Sequence, residues 1–191
     1  DLGQGKATAA VTRVNRFFGT TWTAENCRYP VRKTQENGDD RTKPANIIIT
    51  CTDNTRSRLE LWRFLKKYRE TSVNNERAVY YWMDFGNAQT TGQVFIGTVR
   101  NKIRQPASKE FMPVPGMNVI TEEVSYSTIR EEDSGPSCSL AEALRKQDLF
   151  INSMLAQAGC EILWKMIREG RTPYRGAYLN METLRLVPIP V

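Results

Sequence analysis

A carboxylate, an amide and two arginines follow an apolar run near residue 50, and together these groups could hold a nucleotide phosphate and its metal ion. The run spans residues 47–52 (IIITCT), and Asp53, Asn54, Arg56 and Arg58 come after it. Successive β-branched residues predict a strand that is buried on both faces, as in a parallel sheet. Asp53 would then lie just past the carboxyl end of that strand, where open α/β sheets bind their ligands. The alternative is that Asp53 and Asn54 form only an ordinary turn or helix cap.

A second polar motif stands at the start of the chain and leads into a helical pattern. It has the form Asp-x-Gly-Gln-x-Lys and contains Gln4 and Lys6. The residues after it place apolar side chains on one face, which predicts an amphipathic helix. Those side chains are Ala10, Val11, Val14, Phe17 and Phe18. Gly19 follows as the predicted C-cap of that helix.

These two motifs, in this order, resemble those of the ThiF/MoeB/HesA family, the bacterial relatives of ubiquitin-activating enzymes. The resemblance continues through residues 84–87 (DFGN), 92–94 (GQV) and 135–140 (GPSCSL), and it ends with residues 178–191. It therefore covers nearly the whole chain. The segment at 135–140 and the closing VPIPV are most similar to the ThiF-like proteins of bacterial PRTRC gene systems.

This resemblance implies an α/β, Rossmann-like adenylation domain that uses ATP and magnesium. The implied reaction is adenylation of the C-terminal carboxylate of a small ubiquitin-like or sulfur-carrier protein, with release of pyrophosphate. By the same resemblance Lys6 would contact ATP, and Asp53 would hold magnesium as a catalytic residue. The remaining nucleotide-binding candidates are the other polar residues of the two motifs: Gln4, Thr52, Asn54 and Arg58. A homodimer is also implied.

The glycine-rich half of such a domain is missing from the sequence. Family members begin with a strand, a Gly-x-Gly-Gly-x-Gly turn and a helix that wrap the nucleotide, and the 191 residues contain no such glycine cluster. We therefore expect residues 1–191 to be the C-terminal portion of a single adenylation domain, carrying part of a nucleotide site. The alternative function is a non-catalytic module, derived from this family, that binds a protein or a nucleotide.

Cys138 is the candidate nucleophile and follows a long irregular segment, residues 101–137. Ser139 and Glu142 form a capping box, so a helix with an apolar face reaching to Met166 should begin directly after the thiol. A helix N-terminus favours the thiolate, whereas the acidic residues at 131–133 oppose it. The surrounding Pro-Ser-Cys-Ser resembles the site where ubiquitin-activating enzymes form a thioester. The alternative is a loop cysteine that packs against the start of the helix.

The composition is typical of a cytoplasmic enzyme domain, with 40% hydrophobic and 25% charged residues. No apolar run reaches the ~20 residues of a membrane span. The four cysteines form no C-x-x-C pair, so a structural zinc site is not expected. Cys51 and Cys160 lie in apolar elements and are expected to be small core residues. Because the chain has no histidine, it cannot form a Ser-His or Cys-His dyad.

Six of the cationic residues lie between residues 56 and 69, in a chain of net charge +6. They form either a solvated helix face or a surface for phosphate or an acidic partner. Nucleic-acid binding is not expected, because no reader motif is present.

The remaining sequence predicts the elements that position these motifs. Strands are expected at residues 22–27, 78–83 and 93–99, and a helix at 58–68. A long helix and a hairpin close the chain.

Overall fold

A mixed five-stranded sheet forms the larger of the two units into which the chain divides. The units are Asp1–Lys43 and Pro44–Val191. The computed structural model describes residues 3–29, 45–69, 78–101, 103–126 and 147–191.

The sheet has the strand order β1-β2-β3-β4-β5, with β1 and β2 parallel and the other neighbours antiparallel. The strands span Ile47–Thr50, Tyr81–Asn87, Thr91–Thr98, Tyr174–Asn180 and Arg185–Pro190. The predicted α/β class and the closing hairpin are therefore confirmed. So is the strand pair expected between residues 78 and 99.

Helices form at both predicted positions of the larger unit, after β1 and before the closing hairpin, but their limits differ from the predicted ones. The helices among its described residues are α2 at Thr55–Leu65, the short and unpredicted α3 at Ile120–Glu123, and α4 at Ile151–Arg168. A 3-10 turn at Lys66–Tyr68 extends α2. The long C-terminal helix is confirmed over α4. Because residues 147–150 form a turn, the prediction of one helical face running from residue 139 to 166 is wrong.

One face of the sheet is covered by α2. Side chains of register partners on neighbouring strands point to the same side, so Ile48 and Thr50 share this face with Trp82 and Asp84. The Trp62 ring of α2 stacks on that of Trp82, with centroids 6.0 Å apart. The apolar core here includes Ile48, Leu61, Trp62, Leu65, Trp82, Phe95, Val119 and Ile120.

The opposite face packs against α4, which contacts β2, β3 and β4. Its core consists of Met83, Val94, Ile96, Ile162 and Ala177. Gly159 lets the helix approach the sheet closely, since a Cβ at this position would lie 2.2 Å from the Phe85 ring.

The two outer strands, β1 and β5, expose much of their length. Ile48 of β1 is buried, but Ile49 is 51% exposed, so the prediction that this strand is buried on both faces is wrong. The reason is that β1 lies at the sheet edge, whereas a run of β-branched residues alone gives no strand position. Cys51 and Cys160 are exposed, which also contradicts their expected place in the core. β5 contains Pro188 and Pro190.

The described part of the smaller unit, residues 3–29, contains helix α1 at Lys6–Phe18 and an irregular segment from residue 19 to 29. Gly19 caps the helix in the left-handed region, with φ of 66°, as predicted. The strand expected at residues 22–27 is wrong. Instead, the Asn15 side chain of α1 hydrogen-bonds to both backbone groups of Trp22. It accepts from the N–H at 2.9 Å and donates to the carbonyl at 2.8 Å.

Candidate functional site

The carboxyl end of β1 lies beside the middle of the parallel strand β2, which continues beyond Asp84 to Asn87. Thr50 is in register with Asp84 there. A short turn at residues 51–54 then leads from β1 into α2. Asp53 lies in this turn and is exposed, at the strand-end position that the sequence predicts.

Asn54 is the N-cap of α2. Its Oδ1 accepts a hydrogen bond from the Ser57 N–H at 2.8 Å, and its Nδ2 donates to Asp53 Oδ1 at 2.9 Å. The helix-cap alternative is therefore confirmed for Asn54, whose side chain satisfies a backbone donor of the first turn. The hydrogen bond from Asn54 Nδ2 also holds the Asp53 carboxylate, which stays open to solvent. An exposed carboxylate is a suitable oxygen ligand for a hard cation such as Mg²⁺.

Arg58 lies on the inner face of α2 and is 7% exposed. Its Nε donates to Asp84 Oδ2 at 2.7 Å. Its Nη2 donates to the carbonyls of Thr52, at 2.7 Å, and Phe85, at 2.9 Å. The guanidinium thus joins the turn after β1 to the interior of β2, and at least three of its five donors bond within the protein.

Asp84 is 1% exposed and is held from two sides. Thr50 Oγ1 donates to Asp84 Oδ1 at 2.6 Å, and Trp82 Nε1 donates to Thr50 Oγ1 at 2.8 Å. These bonds, with the Arg58 ion pair, form a continuous polar network inside an otherwise apolar layer. Such a network fixes geometry only when its members are satisfied.

Burial is the largest cause of the pKa shifts of Asp84 and Cys51. Burial raises the pKa of the Asp84 carboxyl, although the Arg58 charge and the hydrogen bonds from Thr50 and Arg58 oppose the rise. Partial burial of the thiol, followed by the Asp84 charge, raises the pKa of Cys51, and Arg58 opposes it. Cys51 is therefore an exposed but poorly ionised thiol.

The other motif residues fall in different places. Gln4 and Lys6 are exposed in the smaller unit, where Lys6 is the first residue of α1. Thr52 Oγ1 is buried and has no hydrogen-bond partner among the described residues. Cys138, its capping box and the start of the helix predicted after it lie outside the described residues.

The cations after Asp53 differ in their exposure. Arg56 is 81% exposed and pairs with Glu60 at 3.1 Å, and Lys66 lies 5.4 Å above the Trp62 ring. Solvent-exposed stems of this kind are typical of a solvated helix face, which favours that alternative for Arg56 and Lys66. Arg58 is buried and Arg69 is half-buried, where it pairs with Glu122 at 3.1 Å.

Asp84 and Thr50 are absent from the predicted site residues. A signal for them exists in the sequence: Asp84 stands two residues after Trp82 in an apolar strand, so it shares a buried face, and buried carboxylates need partners. Arg58, Leu61 and Leu65 recur at helical spacing, so they share one face of the helix. This spacing places the Arg58 cation in the same buried layer as the two leucines.

No family model matches the sequence, and no curated protein matches it either. No helix within the described residues combines the length and apolar character needed to cross a membrane. In the same part of the chain, no three Cys, His, Asp or Glu side chains cluster around a possible metal position.

Proposed function

We propose that this chain carries part of the nucleotide site of a Rossmann-like adenylating enzyme similar to the ThiF/MoeB/HesA family. The single observation that carries the proposal is the exposed Asp53 carboxylate, held at the carboxyl end of a parallel strand by the cap of the following helix. This is the position at which open α/β sheets bind their ligands. The same proposal includes a cytoplasmic, dimeric protein.

The proposed reaction joins a carboxylate to AMP. One oxygen of the carrier protein's C-terminal carboxylate attacks the α-phosphorus of ATP and forms a C–O–P linkage. The bond between the α-phosphorus and the bridging oxygen breaks, and pyrophosphate leaves with that electron pair. By the family resemblance, Lys6 would neutralise phosphate charge as it builds up in the transition state. Asp53 would hold Mg²⁺, which would supply screening of the triphosphate charge.

In the second proposed step, the acyl group is transferred to the Cys138 thiol. The thiolate attacks the carbonyl carbon of the acyl-adenylate, a thioester forms, and AMP leaves with the electrons of the C–O bond. Without this step the product is the acyl-adenylate itself. The two variants of the reaction differ only in whether a covalent protein adduct forms.

The test is exchange of labelled pyrophosphate into ATP by the full-length protein, supplied in turn with each purified ubiquitin-like or sulfur-carrier protein of the same organism. Asp53→Asn should lower the exchange rate about 100-fold or more, since metal-bound charge stabilisation contributes several kcal/mol. Glu60→Gln, a carboxylate change on the neighbouring helix, is the matched control and should keep the rate. Equal rates in wild type and Asp53→Asn would overturn the metal assignment.

The two function candidates separate in the same assay. A wild-type protein that binds Mg·ATP but exchanges no pyrophosphate with any carrier would be the non-catalytic module. A covalent adduct that thiols cleave, and that Cys138→Ala abolishes while exchange continues, would assign the thioester step to Cys138.

A further inference from the structure

Three side chains from three elements converge on the backbone just before Asp53. Arg58 comes from α2, Asp84 from β2 and Thr50 from β1, and their polar atoms are joined by bonds of 2.6 and 2.7 Å. The guanidinium bonds in turn to the carbonyl of Thr52, the residue directly before Asp53. The Asp53 backbone is thus tied to the interior of the sheet.

The orientation of Arg58 argues against a direct contact with a ligand. Its guanidinium faces the interior, and Nη2 lies so close to Gly86 that a Cβ there would be 3.0 Å away. Both hydrogens of Nη2 and that of Nε are engaged by internal acceptors. Arg56, two residues earlier, is exposed, so solvent-facing positions exist in the same turn and Arg58 does not occupy one.

Asp53 is fixed from both sides by this arrangement. On the amino-terminal side, Arg58 holds the Thr52 carbonyl at 2.7 Å. On the carboxyl-terminal side, Asn54 bonds to the Asp53 carboxylate while it caps α2. A metal ligand that is pre-oriented in this way loses little freedom when it binds, and groups that orient a ligand contribute strongly to metal affinity.

We propose that Arg58 is a positioning residue and not a nucleotide ligand: with Asp84 and Thr50 it forms a clamp that aims the Asp53 carboxylate at the magnesium of Mg·ATP. This inference rests on the proposed function. The planar fork of arginine suits the role, because it reaches one carboxylate and two carbonyls at once. The compact ammonium of a lysine cannot span these three acceptors.

The experiment measures ATP binding by the full-length protein in calorimetric titrations, once with excess Mg²⁺ and once with EDTA. Arg58→Lys should weaken Mg·ATP binding about 10-fold or more, as groups that orient a metal ligand do, and leave metal-free ATP binding within about twofold of wild type. A phosphate-binding arginine behaves differently, since its replacement weakens ATP binding equally with and without the metal. Arg56→Lys is the matched control and should change neither titration.

A second pair of variants keeps the inference testable should Arg58→Lys fail to fold. Thr50→Val removes the hydroxyl that holds Asp84 but keeps the side-chain shape, and Thr50→Ser keeps the hydroxyl. Thr50→Val should lower Mg·ATP affinity selectively, and Thr50→Ser should restore it.

The outcomes separate the clamp from the function it serves. If wild type shows no magnesium-dependent ATP binding, both the proposed function and the clamp are overturned. If wild type shows it and Arg58→Lys or Thr50→Val loses affinity equally in Mg²⁺ and EDTA, or not at all, only the positioning role is overturned. Selective loss in Mg²⁺ with rescue by Thr50→Ser supports it.

Discussion

Different kinds of interaction stabilise the two faces of the sheet. The α2 face contains a buried ion pair, a hydroxyl and an indole donor within its apolar layer, whereas the core between the sheet and α4 is assembled from apolar side chains and a glycine contact. Apolar packing is non-directional and stabilises without aiming any group. Hydrogen bonds and ion pairs fix orientation. They occur on the α2 face, next to the turn that contains Asp53. Among the described residues, these buried directional bonds are therefore concentrated on the α2 face.

The largest expected effect comes from breaking the ion pair on the α2 face. Asp84→Ala leaves the buried Arg58 guanidinium without its counter-charge, so the free energy of unfolding should fall by about 3–5 kcal/mol. Urea unfolding followed by tryptophan fluorescence measures this. Arg56→Ala, which breaks an exposed pair in the same helix, is the control and should cost no more than about 1 kcal/mol. Similar losses in both variants would contradict the contrast between buried and exposed pairs.

A smaller effect is expected from overpacking the α4 face. Gly159→Ala places a methyl group 2.2 Å from the Phe85 ring, so helix and sheet must move apart at a cost of about 1–3 kcal/mol. Ala156→Ser, on the exposed side of the same helix, is the control for a change in helix composition. Circular dichroism during thermal unfolding measures both. A Gly159→Ala protein as stable as wild type would show that this face repacks freely.

The smallest effect is a pH dependence that belongs to the α2 face. Because burial raises the pKa of Asp84, the folded state holds the proton more tightly than the unfolded chain does. The resulting contribution to stability is complete below the ordinary aspartate pKa and is lost as pH rises through the raised one. The unfolding free energy of wild type minus that of Asp84→Asn should therefore shrink with rising pH over this window, by at most about 1.4 kcal/mol per pH unit.

Urea unfolding at a series of pH values measures that difference. Gly159→Ala is the control here, because its cost arises from packing and should not vary with pH. A difference that grows as pH rises would show that the Arg58 charge, and not burial, dominates the titration of Asp84.

Local patterns in the sequence predict α1, α2, the inner strand pair and the position of Asp53, but they do not predict the contacts around Asp53. The β-branched run predicts β1, and the helical spacing of apolar residues predicts α2. The Asp-Asn pair between them predicts the turn. The partner of Arg58 depends on the parallel register that brings Thr50 beside Asp84, and such a non-local pairing leaves no local pattern. The exposure of Ile49 and Cys51 likewise depends on β1 lying at the edge of the sheet.

The two prolines of β5 have a consequence for behaviour at high protein concentration. β5 is an outer strand of the sheet that the described residues form, and amide groups two residues apart on a strand point to the same side. Pro188 and Pro190 therefore leave the same edge without donors. Val187 and Ile189 remain able to pair with β4. An incoming strand would find carbonyls but too few N–H groups to form a ladder. The exposed hairpin is in this way protected against edge-to-edge aggregation.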